Sequence, residues 1–269
     1  MAYARQHKGW SDAYMDGQLR TLKAVFNYFA NALGYPVGTF HKGFKVQTWQ
    51  APPLVIMPEK LHRLIHDESF YQCLKPCLQK VADIMIVGCT IGLRFKDLIG
   101  LRSRHVEKGN GHDYLLVNTS KTGARVRIPL PAYVSDIFRK YRRVNHGRLL
   151  PALSNNECNR QMKQIGRLAG WCEEVPRYRS VKGRPAEVKN AAGKTMRFYE
   201  HLSAHTMRRT AITTLLLMGV DEAVVRTISG HAPGSKEFYR YVAYVQGYLD
   251  KQVVNAYRLL MEKPDCYRC

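Results

Sequence analysis

The chain has 269 residues, 45% of them hydrophobic and 23% charged, an ordinary balance for a globular protein of one large domain or two smaller ones. Its charge is not ordinary: 42 Lys and Arg against 21 Asp and Glu leave a formal +21, a field that favours a polyanionic partner. No apolar run approaches the roughly 18 residues of a spanning helix and residues 1–20 lack a signal-peptide core, so the expectation is a cytoplasmic protein bound to nucleic acid, with no membrane partner.

Ser11 and Asp12 begin a helix expected to reach about Leu33, with Leu19, Leu22, Val25, Phe26, Phe29 and Leu33 on one side. Gly34-Tyr35-Pro36 stops it. Residues 35–57 carry Gly, Pro and Lys without a period and read as a linker. A single helix cannot bury its own apolar stripe, so this first unit is expected to be incomplete or to dock elsewhere. Pro58-Glu59 starts a helix, and a long apolar helix is expected over 72–91, ending at Gly92. Tyr114–Asn118 and Arg125–Leu130 read as two strands joined by a turn at Lys121-Thr122-Gly123. Helices are expected at about 132–143 and 155–170. Residues 174–203 form a basic excursion, read as a hairpin on the ligand side. Helices follow at about 205–218 and 221–229, then from Ser235 onward with a break near Gly247. The fold class is mainly α with a small antiparallel sheet, α+β.

Seven Cys, an odd number, argue for reduced thiols. Cys73 and Cys77 lie one helical turn apart and Cys266 and Cys269 form a C-x-x-C. A zinc site from both pairs is weighed against free thiols, and free thiols are preferred because no His pattern accompanies them. No metal or other cofactor is expected: the chain has no G-x-x-x-x-G-K-[ST] and no Asp/Glu cluster at two-metal spacing.

"SAHTMRRTAI" sets His205 three positions before Arg208, on one face of an expected helix. Four further stretches join this pair. "TIGLRFKDLIGL" places Arg94 after a Gly that ends the apolar helix, with Asp97 three residues on. "SKTGARVRIPL" puts Lys121 at the hairpin tip, "ISGHAPG" puts His231 after a Gly, and "KEFYRYVAY" adds three Tyr. This order of Arg, Lys, His-x-x-Arg, Gly-His and Tyr resembles the tyrosine recombinase (phage integrase) family, over about residues 80–245. It is closest to integrases of Bacteroidetes phages and mobile elements, whose patterns "SN…N..LK.IG..AG" and "SAHT.RRT…LL..G" are seen at Ser154–Gly170 and Ser203–Gly219. The His-to-Tyr interval is one residue longer than the family's usual one with Tyr241 and one shorter with Tyr239.

The resemblance implies a site-specific recombinase that cleaves and rejoins DNA strands through a covalent 3′-phosphotyrosyl intermediate. Two guanidiniums, Arg94 and Arg208, would hold the phosphate oxygens. His205 would take the phenol proton, Lys121 would return a proton to the leaving 5′-oxygen, and His231 would hydrogen-bond the phosphate. Asp97 would orient Arg94 or cap its helix. Tyr241 is the expected nucleophile because it would share an inward helical face with Phe238 and Val245, with Tyr239 as the alternative. The implied partners are double-stranded attachment-site DNA, three further copies in a tetramer, and possible accessory DNA-bending or directionality proteins, in a prokaryotic nucleoid.

The corresponding domain plan is 1–34 for the end of a helical core-binding domain, 35–57 for a linker, 58–247 for the catalytic domain, and 248–269 for a C-terminal helix and tail exchanged between subunits. A type IB topoisomerase and an inactive DNA-binding regulator on the same fold are the alternatives. The complete set of polar site residues speaks against the second.

Overall fold

The computed structural model describes residues 2–109, 111–120, 123 and 125–262, apart from the side chains at 2, 4, 5, 251, 252, 255, 256 and 259–262. In chain order the helices are α1 Ala2–Lys8, α2 Asp12–Asn31, α3 Pro58–His66, α4 Glu68–Cys73, α5 Pro76–Ile91 and α6 Phe95–Ile99. The strands β1 Val106–Lys108, β2 Asp113–Asn118 and β3 Arg125–Leu130 follow, then α7 Ala132–Arg142 and α8 Asn155–Leu168. A hairpin of β4 Arg177–Val181 and β5 Arg184–Val188 precedes α9 Ala204–Leu217, α10 Glu222–Ser229 and α11 Lys236–Glu262. This is the mainly helical α+β class expected. The expected helix over 72–91 is corrected: α5 starts at Pro76 after an extended Lys75. Proline lacks an amide proton and pushes the residue before it out of the helical region, so α4 and α5 are separate. The expected break at Gly247 is also corrected. Helix α11 runs through it, since one glycine weakens a helix by only about 1 kcal/mol.

The chain divides into two compact units. The first joins Met1–Ala51 with Glu173–Phe198. Within it, Ser11 caps α2 by accepting from the Tyr14 amide, as its side-chain oxygen is suited to do. Buried Asp12 then reaches the β4–β5 hairpin: its Oδ2 accepts from Ser180 Oγ at 2.9 Å and from the Gly183 amide at 2.7 Å. The Trp49 amide also donates to Ser180 Oγ at 2.9 Å, and the Trp49 and Tyr178 rings meet edge to face. Lys182 and Gly183 both have positive φ, the two-residue turn that matches strand twist. Because strand side chains alternate, the hairpin's other face carries Arg177, Arg179 and Arg184 (the partner of Val181), all exposed. Along α2, Leu22, Val25 and Phe29 are 41–45% exposed.

The second unit comprises Pro52–Cys172 and Tyr199–Cys269. Its centre is α5, whose residues from Val81 to Cys89 are all buried, with α8 and α9 against it. Gly88 eases this: a Cβ there would stand 2.8 Å from Met207 Sδ and 3.1 Å from Met207 Cβ, so a larger residue would force the Met207 side chain or α9 to shift. Strands β1, β2 and β3 form an antiparallel sheet in that order. Val126, Ile128 and Leu130 of β3 are buried while Arg125, Arg127 and Pro129 are exposed, the period-two pattern of a one-sided sheet. The β2–β3 pair was legible in the sequence; β1, three residues long, was not. The one carboxylate inside α5, Asp83, is buried and hydrogen-bonded through one oxygen. Its Oδ2 accepts from Tyr141 Oη at 2.5 Å, Lys140 Nζ at 2.7 Å and Tyr71 Oη at 3.1 Å, and burial pushes the Tyr141 hydroxyl pKa up. Burying a carboxylate without such donors would be costly.

Candidate active site

All of the site's described residues lie in the second unit, at the ends of helices. Helix α5 stops because Gly92 adopts the left-handed conformation at φ 67, and the chain turns so that Arg94 opens α6. A side chain at 92 would be strained at that φ and would press on Ala211 of α9, 3.1 Å away. On α9, the capping pair Ser203 and Thr206 fixes the start, and the Ala204 amide donates to Asn159 Oδ1 at 2.7 Å. His205 and Arg208 then lie on the first turn. Helix α10 stops at Gly230, also left-handed, and His231 follows. Tyr241 sits on the second turn of α11.

These elements converge on a cleft of about 510 Å³, lined among others by Arg94, His205, Arg208, His231 and Tyr241. Five of the six expected site residues are thus brought together. The sixth, Lys121, lies outside the described residues. A larger cavity of about 590 Å³ lies elsewhere, against β1 and α7, and holds none of these groups.

Arg208 is 3% exposed. Its Nη1 donates to the Gly92 carbonyl at 2.9 Å and its Nη2 to the Ser229 carbonyl at 2.6 Å. Nη2 also stands 3.3 Å from His231 Nε2. Burial and the neighbouring Arg94 cation lower the Arg208 pKa to about 10, so it remains charged at neutral pH. Arg94 is held differently: its Nη1 is buried and has no acceptor among the described residues. A buried donor without a partner is uncommon in folded proteins, and this one belongs to a side chain that lines the cleft. Asp97 does not serve its own helix. Its Oδ1 accepts from the Ser120 amide at 3.1 Å, which pins the β2–β3 turn one residue before Lys121.

Both histidines are disposed to be neutral. Burial, then Arg208, lowers the His231 pKa to about 4. Burial, then Arg209, lowers that of His205, against which Glu237 acts; its Oε1 is 3.9 Å from His205 Nε2. The Tyr241 phenol is pushed up by burial, opposed by the adjacent Arg209 cation. Tyr241 is 3% exposed and its ring centroid lies 6.2 Å from that of His231, whereas Tyr239 is 48% exposed. Phe238 and Val245 are buried with it, the inward face that helical spacing implied.

The sequence reading assigned no role to Asn159, Ser229 or Glu237. Asn159 had a signal, as the last Asn of the quoted "SN…N" pattern. Ser229 and Glu237 had none, since each matters only through what folds against it. Cys73 and Cys77 are exposed thiols; Cys266 and Cys269 lie outside the described residues. No group of three His, Cys, Asp or Glu among the described residues is placed to hold a metal ion.

The sequence profile of the phage integrase family matches residues 59–246. No curated protein sequence matches the chain. Among solved structures, the XerH site-specific recombinase bound to palindromic difH substrate, a post-cleavage complex, superposes with a TM-score of 0.65 at 16% identity, over 93% of this chain and 69% of that one. The Tn1549 transposon integrase in complex with circular intermediate DNA gives 0.60 at 16% identity, over 89% and 78%. A lambda integrase dimer bound to a COC′ core site gives 0.56 at 15% identity, over 89% and 61%. At such identities the likeness is one of fold.

Proposed function

Because the chain belongs to the phage integrase family, we propose that it is a site-specific DNA recombinase that integrates or excises a mobile element. Its reaction is a metal- and ATP-independent transesterification. The Tyr241 oxygen attacks a backbone phosphorus, the bond from phosphorus to the 5′-oxygen breaks, and a 3′-phosphotyrosine forms. The proton balance is closed within the site. Neutral His205 accepts the phenol proton, and Lys121 gives one to the leaving 5′-oxygen. The 5′-hydroxyl of a partner strand reverses the step, so no bond energy is lost to water.

The observation that carries this reading is the single cleft lined by two guanidiniums, two neutral imidazoles and one buried phenol, with Arg94 Nη1 lacking an acceptor among the described residues. The phosphate gains negative charge on its non-bridging oxygens as the nucleophile adds, and fixed cations in a partly dehydrated cleft favour that change. Burial keeps Tyr241 protonated at neutral pH, which is why the mechanism needs a base beside it.

Strand exchange joins two duplexes and needs four sites, so the working assembly is a tetramer on attachment-site DNA. Residues 1–34 act as part of a DNA clamp, in the compact unit that also holds residues 35–51 and 173–198, and the remainder of 58–247 acts as the catalytic domain. Leu249, Val253 and Tyr257 of α11, 40–64% exposed, are the surface a neighbouring subunit would cover when residues 248–269 are exchanged. The experiment is incubation with a nicked half-site that traps the intermediate. A covalent protein–DNA adduct is expected. DNA binding without any adduct would favour an inactive regulator, and relaxed circles without recombinants would favour a topoisomerase.

A further inference from the structure

Among the described residues that line the cleft, Glu237 is the one acidic side chain. It stands on the first turn of α11, about one helical turn before Tyr241 and on the same face. Its Oε1 lies 3.9 Å from His205 Nε2, with both side chains about half exposed. A carboxylate in a cleft that is to hold phosphate weakens the attraction for phosphate. Its place there has to be weighed by what it does for the other groups.

His205 is faced by Arg208 and Arg209 from its own helix and by Arg94 from the start of α6. His231 from the turn after α10 faces it too, and Tyr241 and Glu237 line the same cleft from α11. Of these, Glu237 alone carries negative charge. When the ring takes the phenol proton it becomes one more positive charge beside three guanidiniums. The carboxylate favours that charged ring far more than the neutral one, so its attraction grows as the proton moves. An interaction that is stronger in the transition state than before it raises a rate. The negative charge of the phenol oxygen passes into the new bond to phosphorus, where the guanidiniums of Arg94 and Arg208 meet it.

We propose that Glu237 is a positioning residue acting through His205: its carboxylate stabilises the imidazolium formed when His205 takes the Tyr241 proton. This rests on the recombinase reading for its catalytic consequence, though the pairing of the two side chains does not. The direction agrees with the balance at the ring, where burial and Arg209 lower the His205 pKa and Glu237 opposes them. An open pair is weakly coupled in water. DNA laid over the cleft displaces that water and couples the same pair more strongly.

The test uses the full chain as wild type, as Glu237→Gln, which keeps the shape and removes the charge, and as Glu237→Asp, which keeps the charge on a shorter arm. The first readout is the His205 ring carbon-proton shift against pH without DNA, assigned by its loss in His205→Gln. The second is cleavage of a trapping half-site against pH at saturating DNA. In Glu237→Gln, His205 is expected to titrate at lower pH than in the wild type, and the acid limb of the rate profile to move the same way. Its plateau rate should fall on the order of tenfold, a fraction of what a general base contributes. Glu237→Asp should lie between the two. An unchanged His205 titration in Glu237→Gln would overturn the inference. So would faster cleavage with tighter DNA binding, which would make the carboxylate only a repellent of phosphate. If the wild type forms no adduct yet the His205 titration moves as expected, the recombinase reading fails and the support of the imidazolium stands.

Discussion

Arg208 Nη1 donates to the Gly92 carbonyl at 2.9 Å, so a residue inside α9 closes the end of α5, from which Arg94 departs. The two guanidiniums are in this way built into one unit, but they are held unequally. Arg208 is tied down by two carbonyls, whereas Arg94 keeps a buried donor without an acceptor among the described residues.

That asymmetry separates their substitutions. Arg94→Ala and Arg208→Ala are each expected to slow cleavage by about 100- to 1000-fold, the usual cost of removing a donor aimed at developing charge. Arg208→Ala also strands two buried carbonyls, at a typical cost of about 1–3 kcal/mol each. Denaturant unfolding should therefore show Arg208→Ala clearly destabilised and Arg94→Ala near the wild type. Equal stabilities, or either variant cleaving at a tenth of the parental rate, would contradict these assignments.

Tyr241→Phe is expected to abolish the covalent adduct, while Tyr239→Phe leaves it intact. The first loses one oxygen from a phenol in the cleft and keeps a buried ring; the second alters a side chain that is 48% exposed. Peptide mapping of the trapped adduct decides the matter. A nucleotide on Tyr239 or Tyr244 would move the nucleophile without changing the family.

The charge of +21 predicts DNA binding that weakens steeply with salt. Raising salt from about 50 to 200 mM should lower affinity on the order of a hundredfold, as counterions released from several phosphates return. The exposed Arg177, Arg179 and Arg184 on one hairpin face are expected to contribute. Changing all three to Ala should weaken binding and flatten the slope of log affinity against log salt by up to about three phosphate contacts' worth. An unchanged slope in fluorescence anisotropy titrations would remove the hairpin from the DNA-contacting surface.

Thermal stability should fall as the pH drops below about 6.5, the ordinary His value, because His231 titrates near 4 when folded. Between those values the unfolded chain binds a proton that the folded chain does not. The contribution is therefore fully present above 6.5 and is lost progressively as the pH falls toward 4. His231→Gln, which cannot titrate, is expected to lose less Tm between pH 7 and pH 5 than the wild type. Parallel Tm curves measured by calorimetry would show that His231 is not the group responsible.

Much of this protein was legible along the chain. Helix starts at Ser11, Pro58 and Ser154, and stops at Gly92 and Gly230 are local chemistry: a side-chain cap, a fixed proline φ, a left-handed glycine. The β2–β3 pair and the inward face of Tyr241 are local periodicities, of two and 3.6 residues. The order of Arg94, His205, Arg208, His231 and Tyr241 carried the family resemblance, because phosphate chemistry restricts which residue types can serve. What the chain could not display is contact between distant segments. Asp12 binds Ser180 across 168 positions, and Asp97 serves the Ser120 amide instead of its own helix. The missing side chain at Gly88 matters only because Met207 folds against it, and the Ser229 carbonyl matters only because Arg208 reaches it. Hydrogen-bond satisfaction and close packing are properties of neighbours in space, so those roles came from tertiary structure alone.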